Sequence, residues 1–294
     1  MGRNSRRDLG HSPLSGKSII IVGIVRNIST TIKEDLEKLS AAFRVAGRID
    51  FYVAESGSSD NSRDLLAELA NQRDDFEYTT LEIDEKLSRT ENMANARNAY
   101  LAYLRTKSRL ASYSYVVIAD FNKLNNKISA ESVESCFKRD DWDVVTANQS
   151  GRYYDAWALR HPLWSPNDCW EQHEFFRKYT KLPESAITYS MRSRMLKIPS
   201  NSEWIRVDSA FGGLAIYRSE ILNSKAHYSG LRSDGRKICE HVPFHSELQE
   251  KGARIYLNPA FINARMTDHS RRMSMAFTLA RVLTYPFRYF SRQR

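Results

Sequence analysis

Residues 18–25 read Ser-Ile-Ile-Ile-Val-Gly-Ile-Val, an apolar, largely β-branched run without polar alternation. Such a run is a strand buried on both faces, as in a parallel sheet covered by helices on each side. Reading outward from it, Ile32, Leu36, Leu39, Ala42 and Phe43 recur at helical spacing within 30–45, and residues 49–54 form the next strand. A helix over 60–72, a strand over 76–83, a helix over 91–105 and a strand over 113–119 follow with short links. Strand and helix alternate, which predicts an α/β doubly wound sheet for this half.

The second half opens with apolar segments at 142–148 and 153–160 and then changes character. Residues 161–203 are rich in Trp, Pro, Asn and charge, with weak periodicity, and read as a substrate-facing excursion. Regular elements resume at 204–207, 213–217 and 254–257, with a helix over 243–251.

A chain of 294 residues, 41% hydrophobic and 27% charged, makes an enzyme-sized globular body and excludes a disordered one. Its net charge of +9 sits at the ends: Arg3, Arg6, Arg7 and Lys17 oppose Asp8, and seven arginines from Arg265 onward oppose Asp268. The body over 18–264 is formally neutral, so no nucleic-acid groove is expected on it. Three cysteines without CxxC spacing argue against a disulfide framework and for a reducing, cytoplasmic setting. No apolar stretch reaches the roughly 18–20 residues of a membrane span.

Polar residues at the carboxyl ends of parallel strands face the ligand crevice. Four strand ends carry Arg26-Asn27, Glu55-Ser56, Asp84-Glu85 and Asp120-Phe121-Asn122. In Glu55-Ser-Gly-Ser-Ser-Asp60-Asn-Ser, acids and hydroxyls can accept from a base and a ribose, while Asp60 also reads as a helix cap. Arg97 shares the apolar face of its helix with Met93, Tyr100, Leu101 and Leu104, so its guanidinium needs an anion. That anion is either an internal carboxylate, Glu55 or Asp120, or a substrate phosphate. Asp120 and Asn122 can together hold Mg²⁺ or Mn²⁺ against a diphosphate. Asp208 precedes the Gly212-Gly213 pair, where backbone can approach a ligand closely. Glu240 and His241 stand at a helix entrance as a general base and a metal ligand, or as a favourable first-turn acid beside a structural His241–His245 pair.

Taken together, ESGSSDNS, RTENMANARN, ADFN, DSAFGGLAIY and CEHVPFHSELQEKGARIYLNP resemble, in order and context, nucleotide-sugar glycosyltransferases of the GT-A fold, over residues 18–263. WDVVTANQSGRYYDAWALRHP is most similar to bacterial surface-polysaccharide transferases, distant relatives of fungal capsule mannosyltransferases. The resemblance implies a GT-A-like (Rossmann-like), mixed, mostly parallel sheet, with a nucleotide half at 18–122 and an acceptor half at 123–263. It also implies a nucleoside diphosphate sugar held by Arg26, Glu55, Ser56, Asp60, Arg89, Arg97 and Asp120. Tyr154, Asp155, Arg160, Gly212 and Gly213 fall on the acceptor side, Asp208 or Glu240 takes the acceptor proton, and Asp120, Asn122 and His241 hold a divalent cation. Asn122 stands where the family's metal motif has a second acid, which lowers the charge available to a metal.

Residues 265–294 combine arginines with aromatics, and Met273, Phe277, Ala280 and Leu283 fall roughly along one helical face. They read as a basic amphipathic helix, either packed on the body or lying on an anionic membrane surface, which would give a peripheral cytoplasmic enzyme acting on a glycan or lipid-linked acceptor. Two competing readings are a nucleotidyltransferase, which wants a Gly-rich basic loop that VGIVRNIS lacks, and a nucleic-acid-binding protein using the tails alone.

Overall fold

The structure, a computed structural model, describes residues 12–180 and 183–265. Most of the basic leader and the helix predicted beyond Arg265 lie outside the described residues. The first half runs β1 (Ser18–Val25), α1 (Ile32–Ala42), β2 (Arg48–Ser56), α2 (Ser62–Gln72), β3 (Phe76–Leu81), α3 (Arg89–Arg105) and β4 (Tyr115–Ala119). The second runs α4 (Ala130–Glu134), β5 (Val144–Gln149), α5 (Cys169–Tyr179), α6 (Pro183–Ser190), β6 (Ile205–Arg206), β7 (Leu214–Arg218), α7 (Ser219–Leu222), α8 (His241–Glu250) and β8 (Ile255–Ala264).

All eight strands join one sheet in the order β3-β2-β1-β4-β7-β5-β8-β6. β1 pairs in parallel with β2 and β4, β2 with β3, and β5 with β8, while β7 runs antiparallel to both β4 and β5. The expected mixed, mostly parallel α/β sheet is therefore present. Alternation along β1 splits the core: Ile19 and Ile21 pack with Leu36 and Leu39 of α1 and Leu66 of α2, whereas Ile20 and Val22 pack with Tyr100 and Leu104 of α3 and Phe244 of α8. Each such fully buried aliphatic contributes roughly 1.5–3 kcal/mol relative to exposure.

Strand order reverses at β1: β2 and β3 are added on one side of it and β4 on the other, all parallel to it. This is the topological switch point, where strand ends diverge and a crevice opens. Gly23 lies in β1 where a Cβ would collide with the Ala119 carbonyl and the Phe121 ring, so glycine is what lets Phe121 fold back over β1. The next two residues, Asn122 and Lys123, take left-handed φ of 69° and 62°. Asp35 of α1, 4% exposed, holds this turn by accepting from Asn122 N at 2.8 Å and Lys123 N at 2.9 Å.

The apolar segment 153–160 forms a turn that closes with a single antiparallel bridge between Arg160 and Ser209. The 161–203 excursion holds α5 and α6, whose periodicity is weak because Cys169 is the one fully buried residue of α5. Capping fixes α5 instead, with the Asp168 carboxylate accepting from Trp170 N and Glu171 N.

Removing the acceptor of the 122–123 turn leaves buried N–H groups without partners. Asp35→Ala is expected to cost about 1–3 kcal/mol in urea denaturation, and Asp35→Asn less.

Candidate functional site

The site is built around Arg97. Its α3 position follows from a capping box, in which Ser88 Oγ accepts from Glu91 N while Glu91 accepts from Ser88 N, so the helix begins directly at the crevice. Arg97 is 2% exposed. Its Nε donates to Glu240 Oε1 at 2.8 Å, its Nη2 to Asp120 Oδ1 at 3.1 Å and its Nη1 to Tyr100 Oη at 3.5 Å. The guanidinium also stands 5.1 Å from the centroid of Phe211 and 5.8 Å from that of Tyr228. Burial alone would push Arg97 down; the oxygens of Tyr100, Glu240, Asp120 and Tyr228 more than offset it and hold the guanidinium well above its ordinary value. Of the two anions considered for Arg97, the structure supplies the internal one: Asp120, joined by Glu240.

Asp120 sits at the carboxyl end of β4, across the switch point from Arg26 at the end of β1. Its side chain is 29% exposed, and burial pushes it above the ordinary carboxylate range although Arg97 and Arg89 pull the other way. Its N–H donates to the Gly213 carbonyl at 2.9 Å. Gly212 and Gly213 have φ of 69° and 85°, and a Cβ on Gly213 would stand 2.7 Å from Tyr154 Oη. Side-chain amides lock this corner. Asn125 donates to the Asp120 carbonyl at 2.6 Å, Asn263 to Asn125 Oδ1 at 2.9 Å and to the Gly212 carbonyl at 2.8 Å, and Gln149 to the same carbonyl at 3.1 Å. Gln149 also accepts from Tyr154 N at 3.3 Å.

Asp155 lies on the other side of the glycine pair. It accepts from Gly212 N at 3.0 Å and Ala158 N at 3.3 Å. Burial pushes its carboxyl up to about 6, the two N–H groups pull it back, and the charges of Asp120 and Glu240 add to the rise. Asp120, Asp155 and Glu240 therefore act on one another, with Arg97 paired directly to Asp120 and Glu240.

Beside it, a cleft of about 410 Å³ opens at the ends of β1 and β2, beyond β3 and against α3. Arg26, Ser56, Asp84, Glu85, Arg89 and Asn92 supply its polar lining, with Ile24, Ile83, Leu87 and Met93 beneath. Arg26 and Arg89 are exposed.

The remaining sequence candidates are placed differently. Glu55 is fully buried and occupied, accepting from Ser58 N at 2.6 Å and from Arg63 Nε at 3.0 Å. Asp60 staples two loops, accepting from Ser29 and Ser62; the Ser62 hydroxyl contributes most to lowering it to about 2. Arg160 donates to Asp168 at 2.6 Å and to the carbonyls of Trp157 and Leu159. Asp208 is exposed, and its carboxylate has no hydrogen-bond or ion-pair partner among the described residues.

Asp120, Asn122 and His241 do not converge as a cation site. Asn122 is exposed on its left-handed turn, and the His241 ring stacks on Phe211 at 3.9 Å with both nitrogens buried and unpartnered. Burial, with Arg97 and His245, pushes His241 well below its usual value, so it is neutral. Among the described residues no group of three His, Cys, Asp or Glu side chains can hold a metal ion. Asp120, Asn122 and His241 therefore do not by themselves make a divalent-cation site among the described residues.

No family model and no curated protein matches the chain. Among solved structures it is similar to a mannosyltransferase from Pyrobaculum calidifontis in complex with GDP-Man and Mn²⁺, with a TM-score of 0.46 and 15% identity over 88% of this chain and 59% of that one. It is also similar to residues 1–349 of S. aureus TarS in complex with UDP-GlcNAc, with a TM-score of 0.43 and 15% identity over 86% of this chain and 60% of that one. The chain thus spans about three fifths of the length of these structures.

A carboxylate whose native value is raised above its unfolded one binds more protons in the native state, so its stability contribution falls as pH rises through that window. For Asp155 the window runs from about 4 to about 6. Wild type is expected to lose stability relative to Asp155→Asn between those values, read as the pH slope of the difference in urea unfolding.

Proposed function

We propose that this chain is a glycosyltransferase of the GT-A type that takes a nucleoside diphosphate sugar. The observation that carries the reading is a half-exposed carboxylate at the switch point. Asp120 is oriented by a buried Arg97–Glu240 pair and adjoins a cleft whose mouth bears the exposed cations Arg26, its Nε held by the Gly57 carbonyl at 3.0 Å, and Arg89. In this reading the diphosphate meets Arg26 and Arg89, because Arg97 is already saturated by protein oxygens. Ser56 and Asp84 receive the ribose and base, on a loop that Asn92 fixes by donating to the Asp84 carbonyl at 2.9 Å and accepting from Asp84 N at 3.0 Å, and the sugar reaches over the Gly212-Gly213 turn toward Asp155.

The transfer breaks the bond between the anomeric carbon and the phosphate oxygen, whose electron pair leaves with the nucleoside diphosphate. An acceptor hydroxyl forms the new bond and loses its proton. Glu240 is occupied by Arg97 and Asp208 stands apart in solvent. Asp155, half-buried and raised toward neutrality, is the carboxylate suited to take that proton. We place the acceptor on a glycan or a lipid-linked saccharide in surface-polysaccharide synthesis, the basic segment after Arg265 supporting a site of action at a membrane.

A thermal-shift panel of UDP, GDP, CDP and CMP, each with and without Mn²⁺, tests the reading. A diphosphate is expected to raise Tm, corresponding to about 2.7 kcal/mol when present at roughly a hundred times its Kd. Arg89→Ala is expected to reduce the shift. A panel with no shift for any nucleotide overturns the proposal.

A further inference from the structure

The fully buried tyrosines around the site all have partners for their hydroxyls. Tyr100 donates to Tyr228 Oη at 3.0 Å, Tyr217 Oη lies 2.8 Å from His245 Nε2, and Tyr153 Oη accepts from Phe211 N at 3.3 Å. Tyr154 differs. It is half-buried and its backbone N–H is anchored on Gln149 Oε1, yet its hydroxyl has no hydrogen-bond partner among the described residues.

That hydroxyl stands over the glycine turn, where a Cβ on Gly213 would lie 2.7 Å from Tyr154 Oη and 2.6 Å from Leu124 Cδ2. On one side of the turn is Asp120, whose N–H donates to the Gly213 carbonyl; on the other is Asp155, which accepts from Gly212 N. Burial and the charges of Asp155 and Asp120 hold the phenol well above its ordinary value, so it stays protonated and acts as a donor, not as a base.

A sugar hydroxyl both donates and accepts, whereas an ionised carboxylate only accepts. A sugar lying between Asp120 and Asp155 therefore needs a donor as well. Arg97 is saturated by protein oxygens, and the amides of Asn125, Asn263 and Gln149 are committed to this corner. Tyr154 Oη is the donor left uncommitted in this set. A hydrogen bond donated to the attacking oxygen of an acceptor would occupy the electron pair that has to form the new bond. The hydroxyls of the transferred sugar that take no part in bond making carry no such constraint.

We propose that Tyr154 is a specificity-determining residue, its hydroxyl donating to a hydroxyl of the transferred sugar over the Gly212-Gly213 turn. The inference rests on the glycosyltransferase reading and adds to it a group that senses the sugar and not the nucleotide.

The full chain is titrated calorimetrically, in one buffer with Mn²⁺, with UDP, GDP, UDP-glucose, UDP-GlcNAc and GDP-mannose. The quantity compared is the Kd of a sugar conjugate divided by the Kd of its parent diphosphate. Tyr154→Phe is expected to raise this ratio about fivefold for the conjugate that wild type binds, the worth of one neutral hydrogen bond. The Kd for the diphosphate and the ligand-free Tm are expected to stay unchanged, because the hydroxyl removed has no partner in the protein. Tyr153→Phe, which strands Phe211 N, is expected to lower Tm and leave the ratio alone. An unchanged ratio in Tyr154→Phe, equal weakening of diphosphate and conjugate, a lowered ligand-free Tm, or binding of a diphosphate without any of its conjugates overturns the inference and leaves the nucleotide reading standing. Failure of every diphosphate to bind overturns both.

Discussion

One buried cation organises the functional half of this molecule. Arg97 cannot shed its charge, and at 2% exposure it cannot be solvated, so the fold must bring oxygens to it from distant parts of the chain. It does so with Asp120, 23 residues on at the end of β4, and with Glu240, 143 residues on at the start of α8. The pairing joins the two halves of the sheet at the switch point. A buried ion pair of this kind is poor evidence for stability, because an apolar replacement of similar volume often does as well. Its value lies in geometry: α3, β4 and α8 can meet in only one register if the guanidinium is to be satisfied.

Two further devices keep that geometry rigid. The Asp35 carboxylate dictates the left-handed turn after Asp120, and the Asn125–Asn263–Gln149 chain fixes the Asp120 and Gly212 carbonyls. Each is buried and committed to backbone groups, the three amides also to one another, so neither tolerates a shift of the corner it holds. The result places Asp120 and Asp155 on opposite sides of two left-handed glycines, with the Arg26–Arg89 cleft beside them. Both carboxyls are raised chiefly by burial, with the charge of Glu240 adding to the rise in each, and Asp155, at about 6, can hold or release a proton near neutrality.

The sheet was legible because its strands announce themselves locally. An uninterrupted run such as 18–25 has no solvated face, and the helices between the strands carry apolar stripes that match the faces they cover. The same periodicity showed that Arg97 points inward and needs an anion, with Glu55, Asp120 and a substrate phosphate all open as that anion. What local pattern does not carry is which distant residue completes a contact. Glu240 is read from sequence as a base and proves to be an ion-pair partner; Asp155 is read as an acceptor-side residue, and its raised value depends on neighbours far along the chain. Asn125 and Asn263 carry no sequence signal at all, whereas Asp35 carried one, an acid beside Leu36 on the buried stripe of α1. The helices α5 and α6 escaped notice because they turn their rings outward, which erases the apolar periodicity a buried helix would show.

The interaction of Arg97 with Glu240 is best measured by a double-mutant cycle of Arg97→Met, Glu240→Gln and the pair, followed by urea denaturation. If the cation organises the site, each single change strands a buried charge or its partners while the double change strands fewer. A coupling of about 2–3 kcal/mol is then expected. Effects that add to within about 0.5 kcal/mol would contradict the account, because Arg97 and Glu240 would then be neighbours without being partners.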